Sequence, residues 1–452
     1  MPGNLFSAIK KPIAYRCFNS GKTLLCISIS FLLLHSTHLA AESANLSWQE
    51  AARLTLEKNP SLMAFGYQLD AQSGRITQAG LKPNPELSLT IEDALGTDDF
   101  QSLDHSETTL GISWVLEGKQ RRARVNTAEA ANAKLLAERD VKRLDAVADT
   151  ARWYAKAMAL QAMATQADHA VKIANDTLQY VKRRIAAGKS PNVELARAEV
   201  ELAQRKLQRE DISHEQAIAY RQLAAQWGES NFGFTHLPAD IKNMPAILSY
   251  PELEKKLKQH PRYEVLLTQE RWQESQIALA KSQSKPAWRL SFGVKHLAAT
   301  DDQALVAGVS LPLGVFDQQQ GRIIEARALA ALSRAEREAE LISLSTAVFS
   351  LHQELNHSIH KLQTYQTDII PALEKALKET QIAYESGGYS YQEWVAVQRE
   401  LISAQDEYLN TALAAHLQSI EIERLTGISI NAVNTHSSNI IEQGADDANE
   451  HH

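Results

Sequence analysis

Between Gly118 and Gly188 the chain holds neither glycine nor proline. The stretch is built largely from Ala, Leu, Glu, Lys, Arg and Gln, all strong helix formers. Within it Val141, Leu144, Ala148, Ala151, Ala155, Met158 and Ala162 recur at alternating spacings of three and four. That is the rhythm of a coiled-coil seam, and its alanines let helices approach closely. A helix of roughly 70 residues would be about 100 Å long at 1.5 Å per residue. Globular helices usually run 8–20 residues, so a compact domain has no use for such a rod. The stretch predicts a protein that bridges a distance.

The net charge of −7 over 452 residues argues against a nucleic-acid partner, which favours a basic patch. Residues 1–41 read as a secretory signal peptide. Lys10, Lys11, Arg16 and Lys22 form its positive region, Leu24 to Leu34 its apolar core, and Ala40, Ala41 and Ala44 its small-residue cleavage setting. Both cysteines, Cys17 and Cys26, fall inside this segment. The mature chain is therefore expected to have no disulfide and no thiol chemistry. Beyond the signal no apolar run reaches the 18 or so residues of a helical membrane span.

The rest of the chain repeats itself after about 200 residues, a property to settle before any local reading. Leu46-Ser47-Trp48 returns as Leu248-Ser249-Tyr250, Asn59-Pro60 as His260-Pro261, and Lys82-Pro83 as Lys285-Pro286. Gly188, Leu202 and Gly228 return as Gly387, Leu401 and Gly427 at one constant offset. The first repeat, 42–228, reads as a helix over about 48–81, strands 86–93 and 108–116, the long helix 118–187 and a return helix 191–227. The second, 248–427, reads as a helix over about 250–283, strands 288–296 and 304–313, a long helix 321–386 and a return helix 390–426. Pro371 lies inside that second long helix and predicts a kink or break. Residues 229–247, with Gly233, Pro238 and Pro245, read as a crossing linker, and 428–452 as a disordered polar tail.

The four strands alternate. Leu87, Leu89 and Ile91 are interleaved with Ser88, Thr90 and Glu92, and Trp288, Leu290, Phe292 and Val294 with Arg289, Ser291, Gly293 and Lys295. Runs of about 9–11 residues are long enough to cross a bilayer as tilted strands. One apolar and one polar face suits a barrel with lipid outside and water inside. Four strands cannot close such a barrel, for which eight is the minimum, and an open edge in lipid leaves backbone groups unsatisfied. On periodicity alone a half-buried sheet in a soluble domain reads equally well; if the strands lie in a membrane the chain must oligomerise, and eight strands in a dimer or twelve in a trimer both satisfy this.

A set of motifs falls in fixed order along the duplicated chain. They are Asn84-Pro85-Glu86-Leu87-Ser88, then Leu116-Glu117-Gly118-Lys119 with Arg121 and Arg122, then Leu311-Pro312-Leu313 with Phe316-Asp317 and Gln320-Gly321. Pro371, Tyr384, Gly387, Trp394 and Leu425-Thr426-Gly427 complete it. Together they resemble the TolC-like outer-membrane efflux family, and within it the CzcC-like heavy-metal branch. Val315 stands where that branch often has proline or leucine. The resemblance covers nearly the whole mature chain. It implies a mainly α protein with membrane β: a long coiled-coil α-helical barrel plus four transmembrane strands per protomer, pooled into a 12-stranded barrel in a homotrimer in outer-membrane lipid. It also implies a Gram-negative outer-membrane location with a periplasmic tunnel. The implied partners are a periplasmic adaptor (membrane fusion protein) and an inner-membrane RND pump, and the implied cargo is a heavy-metal cation such as cobalt, zinc, cadmium or copper.

Two short segments are the candidate functional tips, Gly188-Lys189-Ser190-Pro191 and Gly387-Gly388-Tyr389-Ser390. Glycine permits the left-handed residue that ends one helix, and Ser190, with Pro191 in the first turn, is placed to cap the next. Any helical hairpin needs as much. The resemblance adds that these tips meet the adaptor. Glu194 and Glu393 sit just beyond them. The resemblance puts acidic residues of this kind around the periplasmic aperture, where six carboxylates of a trimer would raise one another's pKa and attract cations. A glutamate in a first helical turn also simply favours the helix dipole.

His352, His357 and His360, like His451 and His452, read as solvated side chains rather than a metal site. No Ser-His-Asp set, phosphate-cradling glycine loop or Cys/His cluster is apparent, so no enzyme, cofactor or resident metal is expected. The same fold could serve multidrug efflux or type I secretion, and a soluble periplasmic coiled-coil adaptor or scaffold is the rival from another class.

Overall fold

The structure is a computed structural model that describes residues 44–244 and 248–427. The expected signal peptide, Pro245 and the polar tail lie outside the described residues.

A short strand β1 (Ala44–Asn45) precedes α1 (Trp48–Lys58) and α2 (Pro60–Gly80). Strands β2 (Glu86–Glu92) and β3 (Glu107–Leu116) follow, then the 69-residue α3 (Gly118–Ala186) and its return partner α4 (Asn192–Ala225). The second repeat gives α5 (Tyr250–Leu257), α6 (Pro261–Gln283), β5 (Trp288–Leu297), β6 (Asp302–Ser310), α7 (Gln320–Thr364), α8 (Ile370–Glu385) and α9 (Tyr391–Thr426). Between the repeats, β4 (Phe234–His236) pairs parallel with β1. The crossing segment is thus partly ordered, not a bare linker.

Four expectations are corrected. The helices expected over 48–81 and 250–283 are each two helices, broken at Asn59-Pro60 and His260-Pro261. Proline disfavours helical backbone in the residue before it, and both preceding residues are extended and act as N-caps. Strand β2 stops at Glu92 because Asp93 is left-handed, with φ of 54°. Strand β6 spans 302–310 rather than 304–313, as Pro312 has no N–H for a ladder. The second rod does not break at Pro371. Residues Tyr365–Ile369 form a π-turn in which the Ile370 amide donates to the Tyr365 carbonyl, and Pro371 takes a first-turn position in α8. A local i→i+5 turn displaces the carbonyl that the proline ring would otherwise strike.

The core lies where α1, α3, α4, α5, α7, α9 and the crossing segment meet. Trp48, Tyr154, Met158, Leu223, Leu237, Ile241, Leu253, Val348, Leu355 and Ile420 are buried there. Ala148, Ala151, Ala155, Ala157 and Ala159 of α3 are wholly buried, so neighbouring elements can pack close to its backbone. The Tyr154 hydroxyl donates to the Leu46 carbonyl at 3.0 Å, and burial pushes that phenol far above its ordinary pKa.

Strands β2-β3-β5-β6 form one antiparallel sheet in that order. Its register places Leu89, Leu110, Val294 and Leu305 in one cross-strand row. Leu87, Ile112, Phe292 and Ala307 form the next row on that same face, since side chains alternate. Leu305 is 88% exposed and Leu87 75%. The opposite face carries Ser88, Ser113, Ser291, Gly111, Gly293 and Gly308. It also carries the Arg289–Glu86 pair near one end and Lys295, bonded to Glu107 and 3.8 Å from Glu92, near the other. Strands β2 and β6 have no partner on their outer sides among the described residues.

Candidate functional site

The two hairpin tips lie together at one end of the coiled coils. Each long helix ends the same way. Gly188 (φ 68°) and Gly387 (φ 83°) are left-handed, and the following amides reach back to the helix. Lys189 N donates to Arg184 O at 2.9 Å and Gly388 N to Ala383 O at 2.8 Å. This pattern closes a helix on a glycine.

The return helices start differently. Ser390 caps α9: its hydroxyl accepts from Glu393 N at 3.3 Å, while the Glu393 carboxylate accepts from Ser390 N at 2.7 Å. That reciprocal pair is a capping box. Ser190 does not cap α4, contrary to the sequence reading. The N-cap is Pro191, without a side-chain bond, and the Ser190 hydroxyl accepts from Arg184 Nε at 3.1 Å instead.

Arg184 joins the tips. Its Nη1 donates to the Tyr384 and Glu385 carbonyls, both at 3.2 Å, and its guanidinium lies 4.6 Å from the centre of the Tyr384 ring. A cation thus sits on the last carbonyls of α8, where the helix dipole favours positive charge. Tyr384 donates its hydroxyl to Glu194 at 2.7 Å and stacks on Trp394 at 5.1 Å, with Tyr180 edge-on to Trp394 at 5.8 Å. Burial first, and then the Glu194 carboxylate, push the Tyr384 phenol up to about 12. Leu178, Val181, Ala198, Tyr391 and Val395 pack around this aromatic stack.

Glu194 and Glu393 are therefore not alike. Glu393 is exposed and held below its ordinary pKa by the Ser390 amide and hydroxyl, so within one protomer its carboxyl is shifted down. Glu194 is half-buried and serves as acceptor for a tyrosine of the other repeat. Lys189, Gly387, Gly388 and Tyr389 lie at the exposed ends. Higher up, buried Glu201 of α4 accepts from Arg205 Nε at 2.9 Å and from Arg399 Nε of α9 at 2.9 Å, tying the two return helices together.

The sequence reading missed Arg184 and the aromatic stack as a unit. Their signals were basic residues in the last turn of α3 and aromatic residues near both tips, Tyr180 in the first repeat and Tyr384 and Trp394 in the second, neither of which marks a contact partner by itself. Among the described residues no group of three or more His, Cys, Asp or Glu side chains is placed to hold a metal. Nor is any described helix long and apolar enough to cross a membrane.

The family model for outer membrane efflux proteins matches residues 51–229. The cobalt-zinc-cadmium resistance protein CzcC of Cupriavidus metallidurans is 27% identical over 382 residues, covering 84% of this chain and 90% of that protein. The outer-membrane channel OprN superposes with a TM-score of 0.71 at 16% identity, over 84% of this chain and 89% of its own. The outer membrane protein VceC of Vibrio cholerae gives 0.67 at 18% identity, over 84% and 96%. Duplication, coiled-coil rods, a sheet with one apolar face, and these likenesses converge: residues 51–229 match the outer membrane efflux protein family, the fold is that of TolC-like outer-membrane channels, and the sequence is similar to CzcC over most of its length.

Proposed function

We propose that this chain is the exit duct of a tripartite efflux system that carries heavy-metal cations across the outer membrane. Three copies join their four-stranded sheets, the outer side of β2 meeting that of β6 in the next copy, and close a 12-stranded barrel. The helices continue it as a periplasmic tunnel. The tips at 188–191 and 387–390 meet a periplasmic adaptor, and the energy comes from an RND pump in the inner membrane.

The observation that carries the channel reading is the sheet. One face is apolar on all four strands, the other is mostly polar or glycine, and among the described residues neither β2 nor β6 has a partner on its outer side. In lipid such edges are costly, and closure among copies removes the cost. The CzcC relationship supports the choice of cargo. Glu194 and Glu393 add negative charge at the tunnel's periplasmic end, where carboxylates draw cations inward. The capping of Glu393 does not diminish this, because a carboxylate below its ordinary pKa stays charged.

The test is a deletion strain scored for tolerance to cobalt, zinc, cadmium and copper, and to several drugs. Lost metal tolerance with unchanged drug tolerance is the expected result. The reverse would reassign the cargo to drugs, and release of the protein from membranes by high salt without detergent would overturn the channel itself.

A further inference from the structure

The two repeats use the same joint with one difference. Where α4 ends, its last carbonyls meet the start of α2. Asn59 caps α2, its Oδ1 accepting from Ser61 N at 2.9 Å and Leu62 N at 3.1 Å, while its Nδ2 donates to the Gln226 carbonyl at 2.7 Å. In the second repeat α9 meets α6 in the same way, with His260 in place of Asn59. Its Nδ1 faces Arg262 N at 3.0 Å and its Nε2 the Arg424 carbonyl at 2.7 Å. Left-handed glycines complete both joints. A Cβ at Gly228 would lie 3.3 Å from Pro60, and one at Gly427 3.1 Å from the His260 ring.

These partners allow one form of the imidazole. Nδ1 points at a backbone donor and must accept, and Nε2 points at a carbonyl and must donate. A proton added at Nδ1 would set N–H against N–H and cancel the cap. Asparagine in the first joint offers the same acceptor and donor with no titration in this range. We propose that His260 makes the α9–α6 joint proton-sensitive, loosening on acidification while its twin in the first repeat stays closed.

The ring is 3% exposed, so a charge there is poorly solvated. The charged groups around it are Arg262 of α6, paired at 3.7 Å with Glu340 of α7, Arg424 of α9, paired with Glu421, and Asp145 of α3, paired with Arg424 at 2.9 Å. Burial first lowers the His260 pKa; Arg262 and Arg424 add to this, and the Arg424 carbonyl and Asp145 oppose it. A histidine whose folded pKa is depressed stabilises fully above its ordinary value of about 6.5 and loses that contribution as pH falls below it. Helix α6 leads directly into β5, so the joint lies between the rod and the second half of the sheet.

The test is amide hydrogen exchange of the full-length protein in detergent from pH 8 to pH 5, corrected for intrinsic rates. Peptides covering 259–266 and 58–65 are compared within one molecule. Losing a helix cap corresponds to roughly 2- to 30-fold in opening, so protection of the second joint should fall by that factor below about pH 6 while the first holds. His260→Asn should abolish the difference. Equal pH responses of the two joints in the unmodified protein would overturn the proposal, as would an unchanged response in a folded His260→Asn protein. Should that variant fail to assemble, the comparison of the two joints decides alone.

Discussion

Removal of the Arg184 side chain should loosen the two tips without unfolding the rods. The guanidinium makes two hydrogen bonds of 3.2 Å to carbonyls at the end of α8, one of 3.1 Å to Ser190, and a stack on Tyr384. A hydrogen bond contributes a net 0.5–1.5 kcal/mol or so, and a partly exposed cation–π contact about 0.5–1 kcal/mol. Arg184 is only half-buried, so water replaces part of what is lost, and the low ends apply. The net loss in Arg184→Ala is then about 2 kcal/mol, or roughly 30-fold in local opening. Amide exchange over 383–390 and 186–192 should speed up by that factor. Amides near Tyr154, far up the same helix, should not change. Arg184→Lys keeps the charge but not the planar fork, and should fall between the two. Acceleration below 3-fold at the tips, or equal acceleration near Tyr154, would refute the assignment of Arg184 as a bond that holds the two tips together.

Two further outcomes follow from particular distances and charges. A Cβ on Gly293 would lie 2.8 Å from the Leu110 carbonyl and 3.1 Å from Gly111 Cα. Gly293→Ala should therefore lower stability by about 1–3 kcal/mol, measured as the unfolding midpoint in detergent. Gly74→Ala, which meets nothing within 4 Å and lies inside α2, should be neutral or stabilising. Glu421 is held down to about 2 by its bond to Arg424, and also by Arg152, against the effect of its burial. Its contribution is present above the ordinary carboxylate pKa and is lost as pH falls from about 4.5 towards 2, on the order of 2–3 kcal/mol. Glu421→Gln should flatten acid unfolding in that window. An unchanged acid profile would show that the Arg152–Glu421–Arg424 cluster does not stabilise the charged form.

The fold class was legible because rods and membrane strands write long, simple periods. The seam from Val141 to Ala162 declares α3, and the Leu87-Leu89-Ile91 alternation declares β2. What periodicity cannot show is where a local rule interrupts it. Asn59 and His260 were visible as residues before proline, yet the apolar pattern runs on through both. Pro371 was visible too, but not the π-turn that accommodates it, since that turn has no residue signature of its own. At the tips the glycines were readable from their spacing. The bond from Arg184 to Tyr384 spans two repeats and 200 residues, and only packing could reveal it. Ser190 carries the right chemistry for a cap, but the guanidinium beside it binds the hydroxyl instead.

The π-turn at 365–369 has a consequence for how the second rod meets its surroundings. An i→i+5 turn takes up one residue more than the regular spiral, and each residue advances the helix by about 100°. Everything below it is therefore rotated by about a quarter of a circle relative to a plain continuation. Thus α7 can offer one stripe chiefly to α6 and α9, and α8 a re-aimed stripe chiefly to α9, within a single unbroken column. The first rod has no such clutch. Deleting one residue from 365–369 would turn Leu377, Thr380 and Tyr384 away from α9 while leaving the column above in place.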